Sequence, residues 1–114
     1  MANIRDGDGA SIQQLRLGAG FAESERDEIL GRLRKLDRRL KRFDADAVDL
    51  ELSIKGRDSN EQQVVLEARL PKIDRIVVTS REPALRDAIA DVRDDLWRRI
   101  DTAVEKMTIE RHRA

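Results

Sequence analysis

The chain has no cysteine, a single histidine and almost no aromatic side chains, which make up 3% of its 114 residues. Without cysteine there is no disulfide framework, no thiolate metal site and no cysteine nucleophile, a composition that fits a reducing compartment. With so few rings available, Leu, Ile and Val have to build the core. No apolar run approaches the ~20 residues of a membrane span, and Met1 to Ser11 lacks the apolar centre of a signal peptide, so the expected location is the cytoplasm, with no membrane partner. The length leaves room for one compact domain, which at this size buries roughly two-thirds of its unfolded surface. Stability must then come from continuous apolar stripes.

Net charge is also lacking, since 23 basic residues balance 23 acidic ones. What the chain has instead is a great deal of charge, 40% of its residues against 39% hydrophobic. The regular spacing of the apolar positions argues against disorder. The charge is unevenly placed: Arg32 to Arg42 reads RLRKLDRRLKR, seven bases against Asp37, a local charge of +6 that the rest of the chain must offset. A strongly dipolar molecule follows.

Met1 to Ala10, rich in Gly and Asp and without periodicity, reads as a flexible lead-in, leaving 11–112 as one domain. Ile12 to Leu17 alternates weakly and stops at Gly18-Ala19-Gly20, which predicts a first strand and a turn. Ser24 suits an N-cap, followed by Glu25, Asp27 and Glu28 at the positive helix terminus. From there Ile29, Leu33, Leu36, Leu40 and Phe43 recur at steps of four, three, four and three, predicting a helix to about Arg42. Its opposite face carries Arg34, Lys35, Arg38, Lys41 and Arg42, with Arg32 and Arg39 on the flanks.

Val48, Leu50, Leu52 and Ile54 alternate cleanly with polar residues, and after the turn residues Lys55 to Glu61 the alternation resumes at Val64, Leu66, Ala68 and Leu70. These predict a hairpin, extended by a fourth strand over Arg75 to Ser80 after a turn at Pro71 to Asp74. Pro83 suits the first turn of a second helix, whose Leu85, Ile89, Val92, Leu96, Ile100, Ala103 and Met107 keep a 3.6 period, with fraying expected near the end. The order β-α-β-β-β-α, with one apolar face per strand, predicts an α+β two-layer sandwich in which two helices cover one face of a four-stranded sheet.

The segments FAESERDEILGRLRKLDRRLKRF, DAVDLELSIKGRDSNEQQVVLEARL and ALRDAIADVRDDLWRRIDTAVEKM, in this order, resemble the first helix, central hairpin and last helix of the short hibernation-promoting factor and ribosome-associated inhibitor family. The similarity spans about Ile12 to Arg111. It implies a double-stranded-RNA-binding-like fold that docks on rRNA in the decoding region of the small ribosomal subunit and blocks translation sterically in idle or stressed, stationary-phase bacterial cells. Longer family members add a C-terminal module that pairs ribosomes. This chain has no such segment after its last helix, so a monomer off the ribosome is expected.

Phosphates impose a regular negative field, which a patch of several Lys and Arg side chains can meet. The candidate rRNA contacts are Arg34, Lys35, Arg38, Lys41 and Arg42 on the first helix, Lys55 and Arg57 in the hairpin loop, and Arg93 and Arg98 as weaker contributors on the last helix. The bland alternative is a solvated face laced with salt bridges, but Asp37 is the only acid within the basic segment. Arg86, Arg93 and Arg111 lie beside Trp97 and either border a groove between the helices or cover the core edge with their stems. Trp97 itself is read as packing rather than as a base-stacking ring. His112, in the terminal ERHRA, reads as solvated, and Asp94 with Asp95 are adjacent on a helix and do not face each other. No residue pattern calls for catalysis, a metal, a cofactor or a small-molecule substrate, so an enzyme is the least expected class. The competing expectation is a protein-interaction adaptor that presents its basic helix to an acidic partner.

Overall fold

A computed structural model describes residues 9–113, with side chains described as far as Glu110. The sequence readings for residues 1–8, and those for the side chains of Arg111 and His112, lie outside the described residues. Strand β1 (Arg16–Leu17) leads to helix α1 (Arg26–Leu33), a 3-10 turn (Arg34–Leu36) and helix α2 (Asp37–Leu40). Strands β2 (Asp49–Lys55), β3 (Gln63–Leu70) and β4 (Ile73–Ser80) follow, then helix α3 (Leu85–Arg113). The four strands form one mixed sheet in the order β1-β2-β3-β4. β1 runs parallel to β2, and the other pairings are antiparallel.

The register explains why a single face is buried. Leu50 pairs with Ala68 and Ala68 with Ile76, while Leu52 pairs with Leu66 and Leu66 with Val78. Because alternate strand residues point to opposite sides, these rows put Leu50, Leu52, Leu66, Ala68, Ile76 and Val78 on one face, all buried. They join Ile29, Leu33, Leu36 and Leu40 from the first helical arm and Ile89, Val92, Leu96 and Ile100 from α3 in one core. The α+β architecture with two helical elements over a four-stranded sheet is therefore as the alternation predicts. The other face holds Arg16, Asp49, Glu51, Glu67, Arg69 and Arg75, which neutralise one another: Arg16 bonds Asp49 at 2.8 Å, and Arg69 and Arg75 both reach Glu67 at 3.4 Å.

Several expectations need correction. Ile12 to Leu17 is not one strand. Ile12–Gln14 forms a 3-10 turn, because Ser11 Oγ accepts from Gln13 N at 2.9 Å and Gln14 Oε1 accepts from Ser11 N at 3.1 Å. Such local side-chain bonds compete with the strand ladder, so only Arg16–Leu17 pairs. Gly9 and Ala10, assigned to the lead-in, belong to the fold: Ala10 is buried and its N–H donates to Phe43 O at 2.8 Å.

Ser24 does not cap the first helix. It sits exposed within a 3-10 turn (Glu23–Glu25), and Glu25 instead reaches back to accept from Ala22 N at 3.0 Å. The predicted continuous helix to Arg42 is broken by the 3-10 turn at Arg34–Leu36. Residues three apart eclipse in that geometry, which keeps both Leu33 and Leu36 fully buried. β4 begins at Ile73, two residues early, because Pro71 and Lys72 turn the hairpin tightly with Lys72 at φ 65°. Pro83 lies just before α3 rather than in its first turn, and its carbonyl accepts from the buried Gln62 amide at 3.1 Å. α3 stays helical through Arg113. At about 1.5 Å per residue it is about 43 Å long. Among the described residues no helix is long and apolar enough to cross a membrane.

Candidate nucleic-acid interface

The helical arm and α3 lie side by side and run in the same direction, since Lys35 meets Asp94 and, further along both, Arg39 meets Asp101. The arm's apolar residues face the core, so its cations are left on the outer surface or in the seam between the helices. These two positions have different fates.

In the seam, Lys35 Nζ lies 3.3 Å from Asp94 and Arg39 Nε 2.6 Å from Asp101. Both cations also sit over the Trp97 ring, the Arg39 guanidinium carbon at 3.9 Å and Lys35 Nζ at 4.8 Å from its centroid. These are favourable cation–π distances. Trp97 is half-buried against the core and covered by these side chains, so the packing reading holds. Asp94 is held below its ordinary value of 3.8, chiefly by its bond from Arg93 and further by Lys35. Arg93 is spent here: it donates to Asp94 at 2.9 Å and to Arg32 O at 3.2 Å. Arg32 itself pairs with Glu28 at 3.4 Å.

On the outer surface, Arg34, Arg38, Lys41 and Arg42 are exposed, and none of them makes an ion pair among the described residues. Asp37, the one acid within the segment, is turned inward, where its Oδ1 accepts from Ile12 N at 2.7 Å. It ties the arm to the Ile12–Gln14 turn, and among the described residues it pairs with none of the outer cations. Spaced four, three and one residues apart, they form a ridge along the last turns of the arm.

The other sequence-predicted contacts fall elsewhere. Arg57 is half-buried: it donates to Glu25 Oε1 and to Gly20 O, each at 2.9 Å, and stacks over Phe21 at 5.4 Å. The Arg57 guanidinium, helped by the Ala22 N–H, holds the Glu25 carboxyl down at about 2, against an ordinary 4.5. Arg57 is thus a staple between the hairpin loop and the start of the arm, with little left to offer a ligand. Lys55 is exposed at the end of β2. Since Arg57 binds Glu25 at the arm's start, and the ridge begins at Arg34, nine residues further on, about 14 Å along the arm separates this loop from the nearest ridge cation. The loop and the ridge do not merge into one patch. Arg98 is exposed and paired with Asp95.

The sequence reading missed Asp94 and Asp101 as counter-charges. Asp94, Trp97 and Asp101, spaced three and four apart, do share one stripe of α3, but which helix faces that stripe is a tertiary fact. At the other end of the arm, Ile29, Leu85 and Ile89 floor a cleft of about 210 Å³ rimmed by Glu28, Arg32 and Arg86. Among the described residues, no three His, Cys, Asp or Glu side chains are grouped to hold a metal.

Comparison with known proteins adds no assignment: no family model matches the chain, and no curated protein matches it.

Proposed function

We propose that the chain is an RNA-binding domain of the double-stranded-RNA-binding-like type, which docks on the small ribosomal subunit and obstructs translation in the manner of the hibernation-promoting factors it resembles in sequence. Arg34, Arg38, Lys41 and Arg42 contact rRNA phosphates. The observation that carries the reading is the inward turn of Asp37, which leaves four neighbouring exposed cations without an ion pair among the described residues while every other base of the segment is paired. Uncompensated arginines at this density favour a phosphate backbone, and release of its counterions supplies the affinity. The β-α-β-β-β-α order supports the same reading.

The test is the R34E/R38E/K41E variant, compared with the parent for co-sedimentation with vacant small subunits and for inhibition of cell-free translation at two salt concentrations. Reversal of three phosphate contacts is expected to weaken binding by about a hundredfold or more and to flatten its salt dependence. Nuclease treatment of the subunits should abolish co-sedimentation of the parent. A folded variant that binds and inhibits like the parent would sink the assignment of the ridge. Retention on a protein after nuclease would instead establish an adaptor for an acidic partner.

A further inference from the structure

We infer that Asp94 and Asp101 are fixed counter-charges that withhold Lys35 and Arg39 from phosphate, so that α3 draws the boundary of the RNA-contacting surface at the seam between the helices. The inference rests on the RNA reading above and sharpens it to one side of the arm. Seven bases lie within eleven residues, and composition treats them alike. The structure divides them. Lys35 and Arg39 each have a carboxylate within 3.3 Å and a shared indole ring within 4.8 Å, whereas Arg34, Arg38, Lys41 and Arg42 have neither among the described residues.

Two physical consequences follow from that arrangement. A phosphate that engages Lys35 or Arg39 must share a cation already neutralised by a carboxylate and held over the ring, with few counterions left to release, so little is gained. A phosphate approaching the seam also meets Asp94 and Asp101 themselves, and like charges repel it. The backbone of a bound RNA therefore follows the outer ridge and stays off α3, where Arg93 and Arg98 are likewise occupied by Asp94 and Asp95.

Two variants of equal charge separate the two sets of bases. For each, the salt dependence of binding to vacant small subunits is measured beside the parent. Each phosphate contact contributes about 0.7 to 0.9 to the slope of log affinity against log salt. R34Q/R38Q is expected to lower that slope by about 1.5, with weaker binding at low salt. K35Q/R39Q should leave the slope unchanged and the affinity within about twofold. In the converse experiment, D94N/D101N frees Lys35 and Arg39, together with Arg93, which Asp94 also holds, and should steepen the slope by about 1.5 to 2.5, tightening binding tenfold or more at low salt. Equal losses from the two glutamine pairs would overturn the inference and leave the RNA reading standing. Should K35Q/R39Q not fold by circular dichroism, D94N/D101N decides: an unchanged slope would overturn it. If the parent binds no subunits at any salt, the RNA reading fails and the counter-charge role fails with it.

Discussion

At its N-terminal end the helical arm is held by cations that all have partners, and at its C-terminal end it carries four that have none among the described residues. Arg26 donates to Leu15 O at 2.8 Å and to Gln13 O at 2.7 Å, Arg57 clasps Glu25, and Arg32 takes Glu28. The bonds of Arg26 and Arg57 fasten the start of the arm to residues 13–15 and to the hairpin loop, while Arg32 and Glu28 pair within α1. Among the described residues, Arg34, Arg38, Lys41 and Arg42 fasten nothing. The apolar stripe beneath is the same at both ends, so what distinguishes them is how charge is used. A count of basic residues does not separate charge that builds the fold from charge left open to a ligand. Only the positions of the acids do.

The shared stripe gives the largest effect. Leu33 in α1 and Leu40 in α2 are both fully buried. Truncating either to Ala should cost about 2 to 5 kcal/mol in urea denaturation, from lost burial and the cavity left behind. A clearly smaller cost at Leu40 would mean that the C-terminal end is held less firmly, and the two ends would then differ in packing as well as in charge.

The N-terminal staple should matter less, and only above a certain pH. Glu25 titrates at about 2 when folded, below its ordinary 4.5, so its ionised form stabilises the fold at pH 7. That contribution is complete above about 4.5 and disappears as the pH falls toward 2. E25Q should therefore melt below the parent at pH 7, with the two curves converging toward pH 2. A difference that persists unchanged at low pH would show that the carboxylate's charge is not what holds the staple.

The smallest effect belongs to the ridge. Replacing Arg34, Arg38, Lys41 and Arg42 together by Gln should change stability by less than about 1 kcal/mol, because exposed side chains without partners contribute little beyond a modest interaction with the helix terminus. A large loss would reveal that these residues hold the fold after all, and the contrast between the two ends would collapse.

Much of this was legible in the sequence because burial imposes a period. Val48, Leu50, Leu52 and Ile54 can satisfy a single buried face only as a strand, and Ile89, Val92, Leu96 and Ile100 only as a helix. The failures occurred where local chemistry or tertiary partners decided the outcome. Ser24 looked like a cap by residue type, yet it falls within a 3-10 turn in which Glu25 accepts from Ala22 N while its carboxylate also faces Arg57, and no side chain caps α1. At Ser11 and Gln14, reciprocal side-chain bonds outweighed a weak alternation of only two leucines. Arg57, Lys35 and Arg93 were indistinguishable by composition from Arg38 or Lys41. The acidic partners of Arg57 and Lys35 are 32 and 59 residues away in the chain, and no local pattern foretells a partner that far off; Arg93 bonds the adjacent Asp94, but which helix faces that pair is set by the fold.

The parallel pairing of β1 with β2 bears on the route by which the molecule assembles. β2, β3 and β4 are joined by short turns and can zip together through nearby contacts, with α3 following directly in the chain. Arg16 reaches Glu51 only by closing a 35-residue loop that contains the whole helical arm, and the return for that entropy is a ladder of just two residues. The meander with α3 is therefore expected to form the folding nucleus, with β1 docking after the rate-limiting barrier. In stopped-flow measurements Leu66→Ala should slow folding, whereas Leu17→Ala should mainly speed unfolding. The strand that closes the sheet in space would then be the last to arrive in time.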